Sequence, residues 1–108
     1  MSWELVYLPE AVEDYKNLTR RQQLVVNKAI NKVKENPLPQ NDGGYGKPLG
    51  HKRGINLTGY LKIKLKGEGL RIVYKLIRIE NKMLVVVIGV REDEEVYDIA
   101  LRRIKNLK

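Results

Sequence analysis

Between Gly59 and Val90 three apolar runs follow one another with only short turns between them, and that stretch limits what the chain can become. The first, Gly59 to Leu65, alternates strictly: Leu61, Ile63 and Leu65 fall on one side of an extended strand and Lys62, Lys64 and Lys66 on the other. Gly67-Glu68-Gly69 is a tight turn, Leu70 to Ile79 a second strand, Glu80-Asn81-Lys82 another turn, and Met83 to Val90 a nearly continuous apolar strand suited to a covered, central position. A three-stranded antiparallel sheet with a row of cations along one strand is expected. Such a face suits an anion.

The flanks complete an α+β plan. Trp3 to Leu8 is aromatic and branched and too short for a helix, so it is expected to open the fold as a strand. Pro9 suits a first helical turn, and Ala11, Tyr15 and Leu18 give a helix to about Leu18 its apolar stripe. Thr19 with Gln22 is a capping-box pattern, and Val26, Ile30 and Val33 carry the second helix to the Asn36-Pro37 stop. These helices are expected to form a hairpin, with Lys28, Lys32 and Lys34 on its solvated side. Pro37 to Thr58, rich in Pro, Gly and Asn, predicts a long connection. After Val90, Asp93 and its acidic neighbours favour a helix start, and Val96, Ala100, Ile104 and Leu107 give the stripe of a last helix. One domain over residues 1–108 is the expectation.

Charge narrows the partners. The chain carries 21 Lys+Arg against 13 Asp+Glu, a net charge of +8, which strengthens encounter with polyanions. From Gly43 to Gly67 there is no acidic residue, while Lys47, Lys52, Arg53, Lys62, Lys64 and Lys66 all lie there. No apolar run approaches the ~20 residues of a membrane span. Nor does the start read as a signal peptide, so a cytoplasmic location without membrane partners is expected. Absence of cysteine excludes thiolate chemistry, and a single histidine, His51, excludes a paired-imidazole mechanism. No metalloprotease, phosphate-loop, dinucleotide or nucleophile-elbow motif is present. Asp93, Glu94 and Glu95 suit the helix dipole better than a metal ion.

What remains is a cationic set: Lys62 and Lys64, Arg71 across the turn, and Arg91 at the end of the last strand. Converging cations would hold a phosphate and the charge that develops on it. Crowding of like charges disfavours protonation, which makes a lysine of this set, with Tyr97, the proton acceptor on offer. RNA brings its own nucleophile in the 2′-hydroxyl, so a protein need only deprotonate, orient and stabilise. Spacing by itself favours a plain nucleic-acid-binding face over a cleaving one, and leaves Tyr97 as either a packing residue or a ring for a base.

YLKIKLKGEGLRIVYKL followed by GVREDEEVYDIALRRI resembles the core of the RelE/ParE superfamily of bacterial and archaeal type II toxins. The resemblance spans nearly the whole chain and is closest to the RelE branch. It implies a small RelE-like sandwich of N-terminal strand, helical hairpin, three-stranded antiparallel sheet and C-terminal helix. The ribosome-dependent mRNA endonucleases of that branch carry a K-x-K strand, an R-[IL]-V-Y strand and an R-x-x-x-x-x-Y element, which fall here on Lys62, Lys64, Arg71, Arg91 and Tyr97. It implies metal-free and cofactor-free cleavage of mRNA in the ribosomal A site. Lys62 or Lys64 would be the base, Arg71 would stabilise the transition state, Arg91 would assist the phosphate or leaving group, and Tyr97 would stack on a base. Ribosomal RNA, mRNA and a cognate antitoxin, held in a toxin–antitoxin hetero-oligomer, are the implied partners. The connection from Pro37 to Thr58 is longer than in compact members, and Lys52 and Arg53 are its added candidates for RNA contacts, with Lys66 on the basic strand a further one. Superfamily members that inhibit DNA gyrase keep a second function open, and a non-catalytic basic nucleic-acid-binding module is a third.

Overall fold

The computed structural model describes residues 3–52, 55–90 and 93–106. In chain order it contains β1 (Glu4–Tyr7), α1 (Pro9–Lys16), α2 (Arg20–Val33), a 3-10 turn (Gln40–Asp42), β2 (Lys47–Lys52), β3 (Ile55–Leu65), β4 (Leu70–Ile77), a second 3-10 turn (Arg78–Glu80), β5 (Lys82–Gly89) and α3 (Asp93–Lys105). The strands form one sheet in the order β1-β5-β4-β3-β2. β1 runs parallel to β5 at one edge, and every other pairing is antiparallel. The fold is α+β, and the antiparallel β3-β4-β5 group is its centre as expected.

Local chemistry explains the element boundaries. Pro9 occupies the first turn of α1, where a missing N–H costs nothing. Thr19 Oγ1 accepts from the Gln22 N–H while Gln22 Oε1 accepts from the Thr19 N–H, the reciprocal capping box that opens α2. Between the helices, Asn27 donates to the Tyr15 hydroxyl at 2.7 Å and Gln23 to the Tyr15 carbonyl at 3.0 Å, which locks the hairpin.

The segment 37–58 departs from expectation. It carries β2 and the first residues of β3, so the sheet has five strands rather than an antiparallel three plus an opening strand. Two of its residues read as loop for reasons that an edge strand tolerates. Pro48 needs no ladder hydrogen bond on an outer strand, and Gly50, at φ 63°, sits in the irregularity where Pro48 pairs with Leu61 but Gly50 with Leu57.

Cross-strand register assigns the two faces. Leu61 and Tyr74 lie with Met83 and Val33 of α2 in one apolar cluster, so the hairpin covers that face. On the other, Lys62 is opposite Val73 and Val73 opposite Val87, and α3 packs over them through Val96, Tyr97 and Ala100. β5 serves both faces by means of a bulge: Val73 pairs with Val87 but Tyr74 with Val85, leaving Val86 as the extra residue.

Past the end of β1, the exposed edge of β5 is closed by two side chains. Asp14 of α1 accepts from the Ile88 N–H at 3.0 Å, and Arg103 of α3 donates to the Val86 carbonyl at 2.9 Å. The two side chains also pair with each other through two hydrogen bonds of 2.6 and 3.1 Å. They replace the neighbour that a longer β1 would have supplied and tie together the helices of opposite layers. No described helix is long and apolar enough to cross a membrane.

Candidate active site

Strict alternation along β3 places Lys62 and Lys64 on the α3 side of the sheet, and register supplies their neighbours. Lys47 of β2 is directly opposite Lys62, and Arg71 of β4 directly opposite Lys64. Side chains so paired stand with Cβ atoms roughly 4.5–5.5 Å apart. Two successive cross-strand positions therefore hold like charges, an arrangement unfavourable in itself and relieved by an anion lying across it. Gly89 follows Arg71 across the sheet and adds no side chain to the row.

Lys62 differs from its neighbours in burial. It is 8 % exposed, and its Nζ donates to the Tyr97 hydroxyl at 2.9 Å while lying 5.7 Å from the centre of that ring. Tyr97 is 5 % exposed and belongs to the apolar cluster of Val73, Val87 and Val96. In this arrangement its ring is packing and its hydroxyl is what the cationic row meets. Lys64 is exposed and Arg71 half-buried.

A cleft of about 280 Å³ opens beside the lysines of this row, lined by Gln40, Tyr45, Lys47, Lys62, Ile63, Lys64 and Lys66 but not by Arg71 or Tyr97. Lys66, just past β3, thus joins the two lysines before it. Lys52 does not: it pairs with Ile55 at the far end of β3, five residues along β2 from Lys47 and so roughly 17 Å away at a rise of ~3.4 Å per residue. Arg53 and Arg91 lie outside the described residues. Sequence reasoning missed Gln40, left Tyr45 open between packing and stacking on a base, and did not place Lys47 in the site. Lys47 was visible as a cation in a segment free of acids, but only the β2–β3 register reveals which residue it faces. Among the described residues no three His, Asp or Glu side chains gather to hold a metal ion.

No family model matches the chain. A putative RelE-like toxin protein of Escherichia coli is 29% identical over 105 residues, covering 97% of this chain and 100% of the relative. A double-arginine mutant of the E. coli toxin RelE in the free state superposes with a TM-score of 0.76 at 28% identity, over 96% of this chain and 99% of that one. The isolated E. coli RelE toxin gives 0.67 at 26% identity, covering 95% and 99%. The mutant toxin in complex with a peptide of its antitoxin RelB gives 0.69 at 27% identity, covering 93% and 95%. Agreement in sequence and in fold, each nearly end to end, leads to one statement: the chain is similar throughout to the RelE toxins of E. coli.

Proposed function

We propose that this chain is a ribosome-dependent endoribonuclease that arrests translation by cutting mRNA in the A site, and that a cognate antitoxin restrains it. The observation that carries the reading is the pair of like-charged cross-strand rows, Lys47 with Lys62 and Lys64 with Arg71, beside the Tyr97 hydroxyl. A scissile phosphate laid along β3 would meet Arg71 and Lys64 on its non-bridging oxygens. The RNA 2′-oxygen attacks the neighbouring phosphorus as its proton passes to a side-chain nitrogen of the row, that of Lys62 or Lys64. The bond from phosphorus to the 5′-oxygen breaks, and that oxygen takes a proton from solvent water as it leaves. A 2′,3′-cyclic phosphate and a 5′-hydroxyl result, with no redox change and no metal in the balance. Arg71 acts where charge accumulates, since its fork matches two phosphate oxygens at once. Arg91 is assigned the leaving group by the family pattern. Tyr97 holds Lys62 in place through its hydroxyl.

The antitoxin is proposed by likeness to the E. coli toxin, whose mutant is found with a peptide of its antitoxin RelB. Its segment would cover the cationic face and offset its charge.

Primer extension on mRNA in a translating extract tests the reading. Addition of the protein should produce cuts within translated codons, and Arg71→Ala should abolish them while remaining folded and still binding antitoxin. Intact messages accompanied by defective DNA supercoiling would replace this reading with gyrase inhibition. RNA binding with neither effect would leave only a basic binding module.

A further inference from the structure

We infer that Tyr45 is a stacking platform for one unpaired RNA nucleotide at the rim of the cationic cleft, with Gln40 beside it to meet the base edge. This deepens the nuclease reading and rests on it. Three observations converge on Tyr45.

The first is exposure. Tyr45 is 48 % exposed, whereas Tyr60, Tyr74 and Tyr97 are buried. Its ring lines the same cleft as Lys47, Lys62, Lys64 and Lys66, and the Lys32 ammonium lies over it at 5.1 Å from the ring centre. An aromatic face beside a cationic track is how single strands are held without sequence-specific pairing.

The second is rigidity. The Tyr45 N–H donates to the Asn36 carbonyl at 3.1 Å, and the Asn36 side chain donates to the Gly43 carbonyl at 3.2 Å. Gln40 N–H donates to the Gly46 carbonyl at 2.7 Å, and Gly46 N–H to the Leu38 carbonyl at 3.0 Å. The glycines on either side of Tyr45 are required by contact: a Cβ on Gly44 would strike the Leu38 backbone, and one on Gly46 the Tyr74 hydroxyl and Leu61. The backbone that carries the ring is therefore preset, and little ordering remains to oppose binding.

The third is size. About 280 Å³ falls just below the roughly 300–1,000 Å³ of pockets for drug-sized ligands, which suits one nucleotide rather than a folded RNA element. The Gln40 amide offers both a donor and an acceptor, the pair an adenine edge matches. An acidic peptide would use the lysines equally well but has no need of the ring.

Fluorescence anisotropy with a labelled, uncleavable 2′-O-methyl single-stranded RNA tests the platform on the full chain. Tyr45→Ala should weaken binding by roughly 5- to 100-fold with an unchanged salt dependence, because a stack and no phosphate contact is lost. Tyr45→Trp should restore affinity, and Lys47→Gln should instead flatten the salt dependence by about one phosphate contact. Undiminished RNA affinity of a folded Tyr45→Ala variant overturns the inference, as does a loss confined to an acidic polyglutamate probe. The nucleotide's source is read in two further arms. A changed base preference among mRNA cuts by Tyr45→Ala assigns it to the message, and unchanged cuts with weaker co-sedimentation with ribosomes assign it to ribosomal RNA. Wild-type protein that binds the probe through Tyr45 yet leaves translated mRNA intact would refute the nuclease and keep the platform. Normal cutting with indifference to Tyr45 in every arm would do the reverse.

Discussion

Replacing Asp14 by alanine removes a carboxylate that answers three donors: two from Arg103, at 2.6 and 3.1 Å, and the Ile88 N–H at 3.0 Å. What remains is an Arg103 without its counter-ion and a β5 N–H without an acceptor, at a place where both side chains of the pair are 19% exposed. Breaking a fully buried pair costs ~3–5 kcal/mol, and partial access of water reduces that figure. The orphaned N–H adds ~1–3 kcal/mol, less whatever water recovers. A net loss of about 2–4 kcal/mol follows, since the two contributions overlap in the same solvent-accessible corner. At ~2.1 cal/mol/K per residue, a chain of 108 residues has an unfolding entropy near 0.23 kcal/mol/K, so Tm should fall by roughly 9–17 °C. Calorimetry and urea unfolding measure it directly. Asp14→Asn keeps one acceptor and should lose about half as much. In a double-mutant cycle with Arg103→Ala the two losses should overlap by about 1–3 kcal/mol. A folded Asp14→Ala protein melting within ~2 °C of the wild type, or strictly additive losses, would refute the idea that this pair closes the edge of β5.

Tyr97→Phe keeps the packed ring and deletes the partner of the Lys62 ammonium; mRNA cleavage in a translating extract should fall by about 10-fold or more with Tm changed by only a few degrees, and wild-type cleavage would show that the hydroxyl is idle. Lys64→Thr removes a like charge opposite Arg71 and puts a good strand former in its place; a melting curve at low salt should shift upward by about 1–4 °C while cleavage is lost, and a downward shift would contradict the proposed repulsion. Burial drives the Tyr74 hydroxyl well above its ordinary value of 10.0, and it donates to the Pro37 carbonyl at 2.7 Å. The unfolded chain therefore releases this proton first, so the contribution is whole below pH 10.0 and declines as pH rises above it, by up to about 1.4 kcal/mol per unit. Urea unfolding of wild type and Tyr74→Phe between pH 9 and 11 isolates that slope, and parallel curves for the two proteins would exclude it.

Much of this fold is legible in the sequence where one local rule suffices. The capping box at Thr19, the Pro9 helix start and the alternation along β3 each depend on neighbours a few residues away, and each stands where the spacing puts it. β2 escaped because its signals are those of a loop: Pro48 and Gly50 break the pattern, and only pairing with β3 makes the segment a strand. The site was half visible for the same reason. Lys62, Lys64 and Arg71 follow from strand period and a short turn, whereas the opposition of Lys47 to Lys62 depends on a register that local sequence does not encode. The burial of Tyr97 depends on how α3 lies across the sheet, which a helical stripe alone leaves open.

The extra residue at Val86 has a consequence for how the chain's length can vary. Before it, Met83 and Val85 face the hairpin; after it, Val87 and Gly89 face α3 and the cationic row, though all four numbers are odd. Loss of one residue after the bulge, between Val87 and Gly89, would bring the bulk of Val90 opposite Arg71, where Gly89 now leaves room. The floor of the cleft is thus fixed in length to the residue. Its rim is not, since the hydrogen-bonded turn carrying Tyr45 closes on itself between Pro39 and Gly46. Length changes at Asn41 and Asp42, clear of the Gly44 and Gly46 contacts that fix Tyr45, leave β3, β4 and β5 in register, so new nucleotide preferences can be acquired at the rim without moving the groups that do the chemistry.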